Sequence, residues 1–300
     1  KTVSSSWAIN RYEAVRSRLP GARFPAQSAV AASLDELNDQ FDAFVFDSFG
    51  VLNVGETPIS GACARVEALR GDGKQLFVLT NAATVPLGGL GQKYTGLGFQ
   101  FASREIVSSR EVLARGMQSY GDNWKWGVAA PAQSNVHELP GQCHNLVDCQ
   151  HGFGDLDGFV MLSSSGWTDQ LQALLVAALQ ERPRPLLIGN PDVVAPREDG
   201  LTLEPGAFAH EIADVLKVEP RFYGKPFGNA FVEVESRLDP AITPHRIAMI
   251  GDSFHTDILG GAGAGWRTVL VTDHGLAKGH NIAEMVKSTG IVPDFIIPSI

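Results

Sequence analysis

Four groups of polar side chains in this 300-residue sequence stand where short apolar runs end or where a helix begins. They are Asp47, the pair Thr80 and Asn81, the cation Lys225, and Asp252 followed by Ser253 and Asp257. Carboxylates, a hydroxyl, an amide and one lysine suit phosphoryl transfer, in which positioning and charge neutralisation supply most of the catalysis. Carboxylates placed close together repel one another unless a hard divalent cation lies among them, so the set also predicts a Mg2+ site.

The elements that must position these side chains are short apolar runs bounded by polar or glycine-rich residues. The runs are Ala43 to Phe46, Leu76 to Leu79, Gly127 to Ala130, Phe159 to Leu162, Leu186 to Ile188, Ile247 to Ile250, Thr268 to Val271 and Phe295 to Ile297. Continuous rather than alternating runs are typical of strands buried on both faces of a parallel sheet. Ligands of such sheets bind outside the carboxyl ends of the strands, where Asp47, Thr80 and Asp252 stand.

Stretches with helical spacing and helix caps lie between the apolar runs. Ser33 with Glu36 forms a capping-box pattern, and further helices are predicted at Pro58 to Leu69, Thr168 to Gln180, Pro205 to Val218 and Pro226 to Leu238. Strand followed by helix, repeated along the chain, predicts an α/β fold with right-handed crossovers. Breaks in this rhythm near Ser119 to Asn123 and Val218 to Tyr223 predict a second α/β module inserted into the first.

Composition and charge exclude several classes of protein. With 44% apolar and 19% charged residues, the chain can bury a substantial core. A formal net charge of -9 disfavours sequence-independent nucleic-acid binding, which requires lysine and arginine to displace counterions from phosphate. The 3 cysteines, an odd and sparse set, indicate a reducing compartment, and no apolar run reaches the roughly 18 residues of a membrane span. We therefore expect a cytoplasmic protein with no nucleic-acid and no membrane partner.

Taken one at a time, these polar residues have ordinary structural explanations. Asp47 or Asp252 can serve as a turn or cap residue, Thr80 as an N-cap, and Lys225 as a solvated surface charge. Their order and context point elsewhere, because four segments resemble the signature motifs of the haloacid dehalogenase (HAD) superfamily in the same order. These segments are Phe46 to Leu52, Leu79 to Asn81, Gly224 to Pro226 and Gly251 to Asp257. Two more, Asn190 to Asp192 and Glu204 to Ala207, resemble those of its class IIA, NagD-like phosphatases.

The resemblance implies a domain organisation. We expect a Rossmann-like parallel-sheet HAD core formed by residues 40–121 and 220–300. An α/β cap of type C2, residues 122–219, is inserted into this core, and residues 1–39 form an N-terminal helical extension. The cap normally decides the substrate in this superfamily, and the resemblance allows a homodimer formed through it. Asn190 and Asp192 would either face the substrate or shape a turn of the cap.

The resemblance also implies roles for the residues that would handle the phosphoryl group. Asp47 would be the nucleophile that forms an aspartyl-phosphate intermediate. Thr80 and the Asn81 amide would hold the transferring phosphoryl oxygens, and Lys225 would neutralise the charge that develops on them. The predicted ligand is a small phosphorylated metabolite.

A Mg2+ ion completes the expected site. Asp47, Asp252 and a backbone carbonyl near Phe49 would bind the ion through oxygen atoms. Asp257 would be an outer ligand or would orient the lysine, and Ser253 would support these groups from outside the metal shell.

One position departs from the family pattern. Typical phosphatases of the superfamily carry a second aspartate two residues after the nucleophile, which protonates the leaving oxygen and then activates water. Phe49 stands at that position here. Loss of a general acid/base forfeits about 10²- to 10⁴-fold in rate.

Three accounts of Phe49 are open. In the first, the chain is a Mg2+-dependent phosphatase whose acid comes from the cap, a metal-bound water, His255 or Glu56, or whose leaving group needs no proton. In the second, it is a haloacid dehalogenase, since a departing halide requires no acid. In the third, it is a catalytically weak relative that binds a phosphate ligand. We expect the first: hydrolysis of a sugar phosphate-like phosphomonoester through an aspartyl phosphate, with altered efficiency.

Overall fold

The computed structural model describes residues 2–86, 88–148, 152–197 and 200–300. The chain divides into two compact units. The inserted unit comprises Lys1–Arg11, Asn81–Gly89 and Ser108–Gly224, and the core unit comprises Tyr12–Thr80, Leu90–Val107 and Lys225–Ile300. The inserted unit contains the whole predicted cap range of 122–219. The cap and core boundaries set from the sequence stay a prediction.

The core unit alternates strands with helices. Its strands are β2 (Ala29–Val30), β3 (Ala43–Phe46), β4 (Asn53–Val54), β5 (Thr57–Pro58), β6 (Gln75–Thr80), β7 (Ile106–Ser108), β15 (Ile247–Gly251), β16 (Arg267–Val271) and β17 (Phe295–Ile297). Its α-helices are α2 (Ala62–Gly71), α3 (Gly89–Gly96), α7 (Gly228–Glu235), α8 (Leu259–Gly263) and α9 (Ile282–Thr289). Residues Phe254–Ile258 form a π-helix directly before α8.

A 7-stranded sheet with the order β2-β17-β16-β15-β3-β6-β7 carries the predicted site. Strand β3 pairs in parallel with β15 on one side and with β6 on the other, so that Phe46 lies beside both Ile250 and Val78. All four residues of β3 are buried, which is why its sequence reads as one apolar run rather than an alternating one. The carboxyl ends of three adjacent strands therefore lie side by side.

The inserted unit has its own α/β architecture. Its elements are β1 (Thr2–Val3), α1 (Ser5–Ala14, which continues into the core unit), α4 (Ser109–Met117), β8 (Lys125–Ala129), β9 (Gln142–Asn145), β10 (Gly158–Met161), α5 (Asp169–Glu181), β11 (Leu186–Ile188), β12 (Val194–Arg197), β13 (Gly200–Leu203), α6 (Pro205–Val215) and β14 (Arg221–Phe222). A 5-stranded sheet has the order β14-β11-β10-β8-β9, and a 3-stranded sheet has the order β1-β13-β12. Trp126, Val128 and Val160 belong to the buried core of this unit.

The predicted α/β fold class is confirmed, and the eight apolar runs are strands. The runs predicted for β3, β11 and β17 have the observed bounds, and the other five runs differ from their strands by one or two residues at one or both ends. Ser33 caps a helix as predicted, although Leu34–Gln40 is a 3₁₀-helix, and Glu36 accepts a hydrogen bond from the backbone of Ala32. These agreements reflect patterns that depend on burial and on local capping.

The predicted helix bounds need correction at three places. The helix expected from Pro58 begins at Ala62, because Thr57–Pro58 forms a strand and Gly61 adopts a left-handed conformation with φ of 83°. Helix α6 ends at Val215 rather than Val218, and α7 spans Gly228–Glu235 rather than the longer predicted range. Within the described part of the chain, no helix is both long and apolar enough to cross a membrane. Cys63 and Cys143 are free thiols, and Cys149 lies outside the described residues.

Candidate active site

A tight loop after β3 presents Asp47 at the end of the sheet. The Asp47 amide donates to the Ile250 carbonyl at 2.8 Å, which continues the ladder of the β3–β15 pair by one residue. The Ser48 carbonyl then accepts from the amides of Leu52 and Asn53 at 2.8 and 3.1 Å, so the chain turns back immediately. The Ser48 amide donates to Asp47 Oδ1 at 2.7 Å and holds this carboxylate in one orientation. The loop therefore fixes the expected nucleophile.

Gly50 explains why this loop can pass so close to the next strand. Its φ is 76°, a left-handed conformation that favours glycine, and a Cβ placed on it would lie 2.6 Å from Asp252 Oδ2. Only a residue without a side chain allows the loop after β3 and the residue after β15 to approach this closely. The glycine of the first motif thus brings Asp252 to the Asp47 loop.

Asp47, Asp252 and Asp257 form a carboxylate cluster with Lys225 beside it. Each aspartate offers one oxygen, and these three atoms lie within 4.8 Å of one another. Lys225 Nζ lies 2.6 Å from Asp47 Oδ1 and 2.7 Å from Asp257 Oδ1. Lys225, Asp252 and Asp257 are buried, and Asp47 is half-buried. The core unit therefore brings these four predicted residues into direct contact.

The pKa values of this cluster follow from burial and mutual charge. Burial acts to lower the pKa of Lys225, but the carboxylates of Asp257 and Asp47 outweigh it and raise the value, so the ammonium stays charged. Burial raises the pKa of Asp252 well above its ordinary value, and the neighbouring Asp47 and Asp257 carboxylates raise it further. The Leu276 amide and Lys225 oppose this rise. The cluster therefore carries excess negative charge that a cation would relieve.

Backbone amides hold the two buried aspartates in place. Asp257 Oδ2 accepts from the amides of Asp252 and Ser253 at 3.1 and 3.2 Å, while its other oxygen faces Lys225. Asp252 Oδ2 accepts from the Leu276 amide at 2.7 Å. Ser253 thus contributes its backbone to the position of Asp257. Whether Asp257 is an outer metal ligand or orients the lysine stays a prediction.

Phe49 and Thr80 lie in the same unit as the carboxylates. Phe49 follows Ser48 in the loop, is half-buried and pairs with Asn53 in an isolated β-bridge. Ser48 Oγ donates to Asn53 Oδ1 at 2.9 Å, which ties the two ends of the loop together. Thr80 is the last residue of β6 and is buried. No carboxylic acid occupies the position two residues after Asp47.

Asn81, Asn190 and Asp192 belong to the inserted unit. The Asn81 side-chain amide donates to Asp192 Oδ1 at 2.8 Å, and Asn190 Oδ1 accepts from the Asp192 amide at 3.0 Å. Asn190 Nδ2 donates to Glu204 Oε2 at 3.2 Å, so the two cap motifs contact each other. Gly224 has φ of 122°, and a Cβ on it would lie 2.5 Å from Asn81 Oδ1. The asparagine–proline–aspartate turn and Asn81 thus form one polar group.

Sequence reasoning missed several residues that shape these groups. The Leu276 amide binds Asp252, and Asn53 and Glu204 accept the hydrogen bonds described above. Leu276 follows strand β16, whose carboxyl end lies at the same edge as that of β15, so its position after an apolar run was the available signal. Nothing in the sequence pattern marked Asn53, and Glu204 was noted only as part of a motif segment and not as the partner of Asn190, because both pairings depend on the local turns.

The donor set fits a hard divalent cation. The oxygen atoms of Asp47, Asp252 and Asp257 lie close together, and oxygen-only ligation is what Mg2+ prefers. The raised pKa of Asp252 also indicates that the cluster lacks positive charge despite Lys225. The residues present therefore fit the Mg2+ ion that the sequence predicts.

Comparison with known proteins gives consistent matches over most of the chain. Two family models match, one described as haloacid dehalogenase-like hydrolase over residues 44–136 and one described as HAD-hydrolase-like over residues 222–300. The glycerol-3-phosphate phosphatase of Homo sapiens is 28% identical over 305 residues, which cover 93% of this chain and 93% of that protein. These matches cover both sides of the inserted segment.

Solved structures show the same fold. A possible sugar phosphatase of the HAD superfamily from Cytophaga hutchinsonii matches with a TM-score of 0.77 at 25% identity, covering 91% of this chain and 98% of that one. The glycerol phosphate phosphatase of Mycobacterium tuberculosis, solved in complex with magnesium, matches with a TM-score of 0.69 at 20% identity, covering 87% of this chain and 75% of that one. The second likeness supports the fold alone.

Proposed function

We propose that this chain, which belongs to the HAD superfamily and to its class IIA, NagD-like phosphatase family, hydrolyses a small sugar phosphate-like phosphomonoester with Mg2+ as cofactor. Its relatives are phosphatases, among them the human glycerol-3-phosphate phosphatase, and the chain is therefore a phosphomonoester hydrolase. The observation that carries the proposal is the contact of buried Lys225 with Asp47 and Asp257, beside Asp252. A carboxylate, a cation and two further carboxylates so close together support the proposed roles of nucleophile, charge-neutralising group and metal ligands.

Asp47 is the nucleophile of the proposed reaction. One of its carboxylate oxygens attacks the phosphorus atom, the bond from phosphorus to the ester oxygen breaks, and the alkoxide leaves and takes up a proton. Water then attacks the phosphorus of the aspartyl phosphate, which releases inorganic phosphate and restores the carboxylate. Lys225 lies 2.6 Å from Asp47 and neutralises charge on the transferring oxygens. Mg2+, when bound by the carboxylate cluster, supplies further neutralisation of that charge.

The leaving oxygen takes its proton from water in this proposal. Phe49 has no proton to give, and Glu56 is exposed. His255 is buried, stacks on Tyr12 with ring centroids 4.7 Å apart, and places Nε2 2.6 Å from Glu13. Because the imidazole is held by these contacts, we do not assign it as the acid that protonates the leaving group. The rate should therefore depend steeply on the acidity of the leaving alcohol.

A phosphatase is favoured over a haloacid dehalogenase by the carboxylate cluster. Three aspartate oxygens within 4.8 Å of one another suit a metal-assisted reaction, and a departing halide requires no such site. The alternative that remains is a protein that binds a phosphate ligand without hydrolysing it. Activity measurements distinguish this alternative from a phosphatase.

The experiment is a hydrolysis assay with p-nitrophenyl phosphate and glycerol 3-phosphate, with and without Mg2+. We expect Mg2+-dependent release of phosphate from both, faster from the first, whose leaving group needs little protonation. Asp47→Asn should abolish turnover, and Asp122→Asn, which removes an exposed carboxylate, should leave it unchanged. No turnover of any phosphomonoester by the wild type would contradict the proposal. Stabilisation by phosphate esters without turnover would then indicate a binding protein.

We also propose a cytoplasmic location and no nucleic-acid partner. The net charge of -9 and the sparse cysteines support this view. A homodimer through the cap stays a prediction, which light scattering of the purified chain would test.

A further inference from the structure

Helix α1 carries two side chains that contact the segment holding Asp257. Tyr12 and Glu13 lie near the C-terminal end of this helix, in the part that belongs to the core unit. The Tyr12 ring stacks on the imidazole of His255 with centroids 4.7 Å apart and planes inclined by 4°, and Glu13 Oε1 lies 2.6 Å from His255 Nε2. The first residue that the family models match is 44, so Tyr12 and Glu13 lie outside the matched ranges. The proposed reaction has so far given this contact no use.

The contact between Glu13 and His255 is buried and directional. His255 is only 3% exposed, and Tyr12, which covers one face of its ring, is 5% exposed. Because an ionised carboxylate only accepts hydrogen bonds, Nε2 of the imidazole carries a proton and donates to Glu13. A hydrogen bond to a charged acceptor is stronger than one between neutral groups, and a buried N–H without a partner is unfavourable. Helix α1 therefore holds His255 in one place.

His255 and Asp257 belong to the same π-helix, Phe254–Ile258. The Ser253 carbonyl accepts from the amides of Asp257 at 3.2 Å and Ile258 at 3.1 Å, so the turn is one residue wider than an α-helical turn. Such turns are rare, and contacts around them must favour the wide form. Successive side chains of an α-helix lie about 100° apart around its axis, so closing the turn by one residue would swing Asp257 away from its partners.

Contacts on two sides hold this wide turn. On one side, the Asp257 carboxylate binds Lys225 Nζ and two backbone amides. Side chains two residues apart on a helix do not face each other, so His255 points to a different side of the turn, where it binds Glu13. The carboxylate and the imidazole therefore fix the turn from different directions. Loss of the contact with Glu13 leaves the turn, and Asp257 with it, free to relax.

We propose that Glu13 is a positioning residue of the active site. By accepting the hydrogen bond of His255, it keeps the π-helix in the conformation that directs Asp257 toward Lys225 and the carboxylate cluster. Glu13 acts through His255, so it is not itself a catalytic residue. The inference rests on the proposed function of the same site. It makes helix α1, which lies outside the ranges that the family models match, a working part of the enzyme.

The test compares Glu13→Leu, which removes the acceptor, with Glu13→Gln, whose side-chain oxygen still accepts from Nε2. Loss of a group that orients a metal ligand from outside the metal shell typically costs about 10- to 100-fold in metal affinity or activity, and Glu13 is one contact further away. We expect Glu13→Leu to raise the dissociation constant for Mg2+, measured by calorimetry without substrate, by about 3- to 10-fold. The kcat for p-nitrophenyl phosphate at saturating Mg2+ should fall by a similar factor. Glu13→Gln should stay within about 2-fold of the wild type in both.

A merely structural role would lower the melting temperature and leave both values unchanged in protein that is still folded. Asp214→Leu is the matched control, because Asp214 pairs at 2.7 Å with Arg11 of the same helix α1, within the inserted unit. This variant should change the melting temperature at most. If Glu13→Leu does not fold, Glu13→Asp, which shortens the side chain by one methylene, should give a smaller loss of Mg2+ affinity. Unchanged Mg2+ affinity in the folded variant would overturn the inference.

A double-mutant cycle shows whether the effect passes through His255. His255→Phe removes Nε2 and keeps a ring that can stack on Tyr12. In this background Glu13→Leu should have little further effect on kcat or on Mg2+ affinity, because the donor that Glu13 holds is already absent. Independent, multiplicative losses from the two substitutions would contradict the proposed route.

Mg2+ binding separates this inference from the proposed function. If the wild type hydrolyses no ester but binds Mg2+ more tightly than Glu13→Leu does, the proposed function fails, and the positioning of the metal site by Glu13 stands. If the wild type is active and Glu13→Leu matches it in both Mg2+ affinity and kcat, the inference alone is wrong. A wild type that binds no Mg2+ would overturn both.

Discussion

Replacing Lys225 by methionine removes the cation from the carboxylate cluster while leaving a side chain of similar length. In the structure, Nζ contacts Asp47 at 2.6 Å and Asp257 at 2.7 Å, and the side chains of the lysine and Asp257 are 3% and 0% exposed. Removing one partner of a buried ion pair typically costs about 3–5 kcal/mol, because an uncompensated charge stays in the interior. We expect Lys225→Met to lower the free energy of unfolding at pH 8 by that amount in EDTA.

The pH dependence of this loss follows from Asp252. Burial, Asp47 and Asp257 raise its folded pKa above the ordinary 3.8, and Lys225 opposes the rise. The folded state therefore holds a proton that the unfolded state has released, so stability falls as the pH rises from the ordinary value through the folded one. Without the lysine, the folded pKa rises further and this window extends to higher pH. The destabilisation by Lys225→Met should thus be smaller at pH 5 than at pH 8.

Urea unfolding followed by circular dichroism measures both quantities. Lys217→Met is the control, because Lys217 is an exposed lysine, and its loss should change the free energy of unfolding by less than about 0.5 kcal/mol. Added Mg2+ should restore part of the stability that Lys225→Met loses at pH 8. A loss below about 1 kcal/mol, or one that is equal at pH 5 and pH 8, would refute the reasoning about the buried charge.

Three further changes test other parts of the structure. Phe49→Asp should raise kcat for glycerol 3-phosphate by up to about 100-fold and change the hydrolysis of p-nitrophenyl phosphate far less, because only the alkoxide that leaves glycerol 3-phosphate needs an acid. Equal effects on both esters would contradict this prediction. Gly50→Ala should lower the free energy of unfolding by about 1–3 kcal/mol in urea titrations, because its Cβ would lie 2.6 Å from Asp252 at a left-handed φ. Gly55 is exposed and also has a positive φ, but no atom lies near its Cβ position, so Gly55→Ala should cost less. Burial lowers the pKa of His255 although Glu13 acts to raise it, so the free energy of unfolding should fall as the pH drops below about 6.5. His255→Phe should make the free energy of unfolding depend less on pH in the same titration. An unchanged pH dependence would contradict this role of His255.

The sequence predicts the strands of this fold well because their patterns record burial directly. Strand β3 consists of four apolar residues, and all four are buried. Asp47 and Asp252 each follow such a strand, so their proximity could be expected from the parallel order of β3 and β15. The start of α2 at Ala62 could not, since it depends on the backbone conformation of Gly61.

Contacts between side chains of distant segments escape sequence reasoning. The Leu276 amide binds Asp252 across 24 residues of chain, and its donor is a backbone group that any residue type would supply.

The central claim, that Asp47 attacks phosphorus, is tested most directly by a rapid-quench experiment. Wild-type protein with Mg2+ is mixed with ³²P-labelled p-nitrophenyl phosphate, quenched in acid within a single turnover, and digested for peptide mapping. We predict that acid-stable, base-labile label appears on the peptide containing Asp47 and is absent from Asp47→Asn. Turnover without labelled protein, label on another peptide, or full activity in Asp47→Asn would contradict the account.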